Sequence, residues 1–106
     1  MVTRGDIWLA ALDPTVGSEM RKTRPCVVVS PPELHDFLRT VIVAPMTTVS
    51  HAVPYRVPIT FQGKRGYVVL DQLRTLDKGR LLKRLGKAPP RVLAQTLRTL
   101  RYVFAE

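Results

Sequence analysis

Most of what a metal enzyme, a disulfide-stapled protein or a membrane protein requires is missing from this sequence. Cysteine occurs once, at Cys26, so no disulfide can close within the chain and a reducing compartment is expected. Set in the apolar run Cys26–Val29, that thiol reads as a small buried hydrophobe rather than a nucleophile. Histidine occurs only at His35 and His51, with no ligand spacing between them or to Cys26. The carboxylates are dispersed, without the Asp-x-Asp or Asp-x-x-Glu cluster that two-metal hydrolysis uses. No metal site and no cofactor are expected, and the glycines never reach phosphate-loop spacing. Apolar runs such as Val41–Met46 are far too short to cross a bilayer. Met1–Asp6 leads straight into a strand-like segment with no secretory leader. A cytoplasmic protein with no membrane contact is the expectation.

What is abundant is positive charge. Seventeen Lys and Arg stand against eight Asp and Glu, for a formal +9 on 106 residues. A field of that sign attracts polyanions and speeds their encounter. Solubility alone, or an acidic protein partner, accounts for the same excess. The length fits one domain, residues 1–106, with a modest core.

Patterning divides that domain in two. Ile7–Leu12 reads as a strand closed by Asp13-Pro14, and Gly17–Arg24 as a polar loop. Cys26–Ser30 is a continuous β-branched run suited to a central strand, stopped by Pro31-Pro32. Thr40–Met46 reads as the next strand. Tyr55–Phe61 alternates, but Pro58 cannot donate to a ladder, which places it at an edge. Gly63–Gly66 reads as a hairpin turn into Tyr67–Leu70, and Asp71–Lys78 as a loop. Beyond Pro89-Pro90 the period changes: Leu93, Leu97, Leu100 and Phe104 form one stripe of an amphipathic helix. Arg91, Arg98 and Arg101 fall off that stripe and read as a solvated face. Trp8 reads as core, and His35 as a surface residue. The fold class expected is mainly β with a C-terminal α-helix, the strands closing into a small barrel.

Chemistry-bearing side chains gather at strand ends. The loop from Gly17 packs Arg21, Lys22 and Arg24 with Ser18 and Thr23 before plunging into the apolar strand. Thr47-Thr48 stands at the exit of the next buried strand. Polar groups on loops held by a stiff scaffold are a common active-site arrangement, though a solvated turn and a strand cap explain the pattern equally well.

Several blocks, in order along the chain, resemble the MazF/PemK toxin family. They are Arg4-Gly5-Asp6-Ile7-Trp8, Asp13–Glu19, Lys22-Thr23-Arg24-Pro25, Val27–Pro31, Val41–Thr48 and Asp71–Asp77. The resemblance implies a small SH3-like β-barrel of the CcdB/MazF kind, acting as a homodimer. It implies an endoribonuclease toxin that cuts single-stranded RNA at short motifs without metal, leaving a 2′,3′-cyclic phosphate and a 5′-hydroxyl. It also implies a cognate antitoxin whose acidic tail covers the RNA groove. The family's catalytic arginine falls on Arg24 and its threonine on Thr47. Glu19, in the Gly-Ser-Glu block, and the Asp71-Gln72 pair fall on substrate-contacting elements.

In that chemistry the ribose 2′-hydroxyl attacks its own phosphate, and charge grows on the nonbridging oxygens. Arg24 brings a permanent, planar, bidentate cation suited to stabilising it. Thr47 is placed to hold a phosphate oxygen or to orient the attacking hydroxyl. For the proton acceptor the residues leave two roles open for Glu19, general base or organiser of its own loop. His51 is a weaker candidate, while Thr48 and Ser50 suit local backbone satisfaction. RNA contact is expected from Arg4, Ser18, Arg21, Lys22, Thr48, Arg56, Asp71, Gln72 and Arg74. Two other classes fit the same sequence: a gyrase-poisoning relative on the same barrel, and a passive RNA-binding module. The RNA motif cut cannot be read from these residues.

Overall fold

Valine builds the centre of the molecule. A computed structural model describes residues 1–48 and 53–106. Its strands are β1 (Asp6–Ala11), β2 (Thr23–Val28), β3 (Thr40–Thr47), β4 (Arg56–Phe61), β5 (Lys64–Val69), β6 (Arg74–Asp77) and β7 (Leu81–Lys87). A single helical turn, α1 (Pro32–His35), lies between β2 and β3, and α2 (Pro90–Val103) closes the chain. The strands pair antiparallel in one sheet of order β4-β5-β3-β2-β1-β7, with β6 paired to β3.

Strands β2 and β3 are buried on both faces, which is why they read as unbroken apolar runs rather than alternating ones. Successive side chains of a strand point to opposite faces, and the burial follows that rule. Ile7, Val27, Val29, Ala44 and Met46 join Val57, Ile59 and Val68 in one core. Ala10, Cys26, Val28, Val41 and Val43 join Leu12 and Leu76 in a second. Val92 and Leu100 of α2 pack against the first core, so the helix caps one side of the curled sheet. Prolines 89 and 90 suit the first turn of α2, where no backbone donor is needed.

This is the mainly β architecture with a C-terminal helix that the sequence predicts, and Arg91, Arg98 and Arg101 are exposed on α2 as expected. Four local expectations need correction. The segment 71–78 is not a loop: a 3₁₀ turn, Leu70–Gln72, passes directly into β6. Strand β7 was not anticipated, because an edge strand rich in Lys and Arg carries a charge pattern that masks its alternation. The β4–β5 turn is Gln62-Gly63, both with positive φ, as a two-residue hairpin demands. Lys64–Gly66 therefore already lies within β5.

His35 is the fourth correction. It is buried, not superficial: its Nε2 lies 2.6 Å from Ser30 Oγ and its Nδ1 3.1 Å from the Val2 carbonyl. The Ile42 N–H also donates to Ser30 Oγ. Through these contacts the imidazole ties α1 to the N-terminus and to β3. Trp8 is half-buried against the second core, in keeping with its expected role. Among the described residues no helix is long and apolar enough to cross a membrane.

Candidate active site

The register between β2 and β3 brings the two catalytic candidates together. Cys26 pairs with Pro45, Val27 with Ala44 and Val28 with Val43. Continued two residues toward the start of β2, that register sets Arg24 opposite Thr47, with both side chains on one face of the sheet. The two residues are 23 apart in sequence, and neither spacing nor periodicity reveals their meeting. Both line an open cleft of about 350 Å³.

That cleft is basic. Arg21, Lys22, Arg24 and Lys64 line it together with Thr47 and Thr48, and no carboxylate stands among its described lining residues. Met46, Ile59 and Phe61 give it an apolar floor. Four cations with no ion pair among the described residues favour a polyanionic occupant. The guanidinium of Arg24 is oriented by its own loop: its Nε donates to the Arg21 carbonyl at 3.2 Å.

Lys64 is the contributor that sequence reasoning missed. It follows the β4–β5 turn, and only the curl of the sheet, which pairs Thr47 with Tyr67 and Met46 with Val68, swings that hairpin over the strand ends. A Gly-Lys-Arg-Gly turn is the one signal for it, and a solvated turn has the same composition.

The remaining expected residues are distributed around the cleft rather than in it. Glu19 accepts the Val16 N–H at 2.8 Å and does not line the cleft; this contact organises the turn of its own loop. Gln72 accepts the Met20 N–H at 2.6 Å and donates to the Ser18 carbonyl at 3.5 Å. Arg56 and Asp71 form a bidentate pair, Nε to Oδ1 at 3.0 Å and Nη2 to Oδ2 at 3.2 Å. The arginine's hydrogen bonds hold the Asp71 carboxyl below its ordinary value, with burial opposing. Arg4 lies elsewhere, donating to the Val29 carbonyl and lining a separate cleft beneath α2 with Leu97, Leu100 and Phe104. Ser50 and His51 fall outside the described residues.

Arg74 pairs with Val43 on the face that carries Arg24, and its Nη1 is buried without a hydrogen-bond partner among the described residues. Cys26 lies near both arginines. Burial pushes its thiol up to about 12, with the charges of Arg74 and Arg24 only partly opposing, so it is a protonated filler and not a nucleophile. Among the described residues no three His, Cys, Asp or Glu side chains come together as a metal would need.

Comparison with known proteins identifies the chain's family and fold. Residues 3–104 match the family described as PemK-like, MazF-like toxin of type II toxin–antitoxin system. The endoribonuclease PemK of Escherichia coli is 37% identical over 100 residues, covering 89% of this chain and 75% of its own. The crystal structure of MazF (form I) from Deinococcus radiodurans superposes with a TM-score of 0.87 at 26% identity, covering 99% of this chain and 97% of its own. The MazE–MazF structure (form I) from the same organism gives a TM-score of 0.75 at 26% identity, with coverage of 99% and 97%.

Proposed function

The chain belongs to the PemK-like, MazF-like toxin family of type II toxin–antitoxin systems and is an endoribonuclease; we propose that it cuts single-stranded RNA at short sequence motifs, without metal, through the RNA's own 2′-hydroxyl. The observation that carries this reading is the cleft itself: Arg21, Lys22, Lys64, Thr23 and Thr48 around the Arg24–Thr47 pair, with no carboxylate in its described lining.

In this mechanism the O2′–P bond forms as the P–O5′ bond breaks, giving a 2′,3′-cyclic phosphate and a 5′-hydroxyl. The 2′-hydroxyl loses a proton and the leaving 5′-oxygen gains one. Arg24 stabilises the negative charge that grows on the nonbridging oxygens, a role for which its fork geometry and permanent charge are suited. Thr47 holds a phosphate oxygen beside it. Arg21, Lys22 and Lys64 bind flanking phosphates and set the strand's course across the cleft. Glu19, engaged with Val16, orders the loop that presents these cations rather than taking the proton.

The chain's partner in this reading is an acidic antitoxin, for which the +9 charge is a complement, and the site of action is the cytoplasm. A homodimer is proposed as the working unit. Supporting it, Phe37 and Phe104 are 86% and 70% exposed, and Phe104 lies in the apolar cleft beneath α2; exposed apolar surface of this kind marks interaction sites.

The test is to incubate the purified chain with mixed RNA in excess EDTA and to map the ends. The parent is expected to cleave and leave 5′-hydroxyl ends, and Arg24→Ala and Thr47→Ala to be nearly silent. Absolute dependence on a divalent ion overturns the mechanism.

A further inference from the structure

Three of the cleft's four cations, Arg21, Lys22 and Arg24, lie in or just after a loop whose packing on the cores, among the described residues, comes from Met20. Between β1 and β2, residues 16–19 are all exposed, and only Thr15 and Met20 are half-buried along 13–22. Its base is closed by the Leu12 N–H on the Lys22 carbonyl at 2.8 Å. Its start is held by Arg80, which donates to the carbonyls of Ala11 and Asp13. Its apex is different. Within the loop, Arg21 Nη2 donates to the Gly17 carbonyl at 3.0 Å; among the described residues, the hydrogen bonds that reach residues 15–20 from outside the β1–β2 loop come from the carboxamide of Gln72.

Gln72 is well placed for that task. It ends the 3₁₀ turn Leu70–Gln72, anchored by the fully buried Leu70, and Arg74 two residues on is locked into the β6–β3 ladder. One rigid side chain thus grips two backbone groups of a free loop: its oxygen takes the Met20 N–H and its nitrogen the Ser18 carbonyl. Met20 directly precedes Arg21, whose carbonyl accepts the Arg24 Nε–H. The path from Gln72 to the Arg24 guanidinium therefore crosses the backbone of two residues, Met20 and Arg21, and two hydrogen bonds.

We propose that Gln72 is a positioning residue that latches the β1–β2 loop and, through the Arg21 carbonyl, fixes the Arg24 guanidinium for transition-state stabilisation. The catalytic half rests on the function proposed above; the latch itself does not. Gln72 does not line the cleft, and both ends of its amide are engaged by the loop, so its contribution is to the geometry of the cations and not to the reading of bases. A carboxamide suits the pairing, because its oxygen accepts from an N–H while its nitrogen donates to a carbonyl. Displacements of the order of 1 Å at a reacting group cost up to about a hundredfold in rate.

The experiment compares the wild-type chain with Gln72→Met, which keeps the shape and loses both hydrogen bonds, and Gln72→Glu, which keeps the acceptor. Amide hydrogen exchange at Met20 reads the latch. Exchange at Val29, whose N–H donates to Ile42 in the sheet, reports whether the fold is intact. For Gln72→Met we expect Met20 exchange to speed up by about tenfold or more while Val29 is unchanged. We expect kcat at saturating RNA to fall by about tenfold or more, with the cleavage motif preserved. Gln72→Glu should keep Met20 protected and lie between the two in kcat. Unchanged Met20 exchange in Gln72→Met overturns the latch. A raised KM or altered motif at undiminished kcat overturns the positioning role in favour of direct base contact. A wild-type chain that cuts no RNA overturns the proposed function, and Met20 exchange then still decides the latch.

Discussion

Gly66 has no side chain because Thr47 leaves no room for one: a Cβ on Gly66 would lie well inside van der Waals contact with the Thr47 carbonyl oxygen, and 3.0 Å from its carbonyl carbon. The opposing element is backbone, which cannot rotate away. Close approach here lets β5 cross the end of β3, where Thr47 pairs with Tyr67, and brings the β4–β5 hairpin with Lys64 over the cleft. Gly66→Ala is therefore expected to lower stability by about 1–3 kcal/mol and to lower cleavage beyond what the lost stability explains, because Thr47 must move. Denaturant unfolding and single-turnover rates on one RNA check the two effects separately. Wild-type rates in Gly66→Ala would show that the position of Thr47 does not matter.

In the proposed mechanism Arg24 acts by fork geometry and not by charge alone. Arg24→Ala is expected to reduce the single-turnover rate by about 10²–10³. Arg24→Lys, which keeps the charge and loses the planar fork, should stay far below wild type. Thr47→Ser should retain much of the rate that Thr47→Ala loses, since the hydroxyl is what is used. Full activity in Arg24→Lys would reduce the arginine to a generic phosphate anchor.

Much of the fold was legible because its determinants are local. The valines of β2 and β3 and the Pro-Pro breaks each act over a few residues, and the corresponding elements formed where expected. Helix α2 formed too, but of its expected stripe Leu93, Leu97, Leu100 and Phe104 only Leu100 packs on the first core, beside Val92, whereas Phe104 lies past the helix end and is exposed. Strand β7 was hidden because edge charges at Lys83, Arg84 and Lys87 suit solvent and strand alike. His35 was misjudged because its burial depends on Ser30 and the Val2 carbonyl, partners that spacing does not disclose. At the site, Arg24 and Thr47 were recognisable from the family motif, whereas their opposition follows from strand register. Lys64 and the engagement of Gln72 depend on the curling of the sheet, a relation between distant segments that no window of sequence contains.

The Arg56–Asp71 pair gives a pH signature. Asp71 is depressed below its ordinary 3.8, first by the hydrogen bond from Arg56. A depressed carboxyl adds stability above its unfolded pKa and loses it as pH falls through the folded one. The side chains are 20% and 44% exposed, so solvent screening limits the effect to about 1 kcal/mol or less. Asp71→Asn should therefore be slightly less stable than wild type at pH 7, with the gap closing below about pH 4. Denaturation midpoints across pH test this; a gap that widens in acid contradicts it.

Cys26 should be silent in the native state. With its thiol pushed up to about 12 by burial, it is protonated at neutral pH and shielded. Ellman's reagent is expected to react with it only after unfolding. The raised value also makes stability fall as pH climbs from about 9 toward about 12, because the unfolded chain ionises first. Rapid reaction of the native thiol at pH 8 would contradict both statements.

The central claim is that the RNA supplies its own nucleophile and the cleft supplies charge stabilisation. Replacing one ribose, on the 5′ side of the scissile phosphate, with a 2′-deoxyribose tests it most directly. The account predicts that this single missing hydroxyl abolishes cleavage there while the binding affinity of the purified chain is nearly unchanged. Cleavage of the deoxy-substituted strand at the normal rate would contradict it.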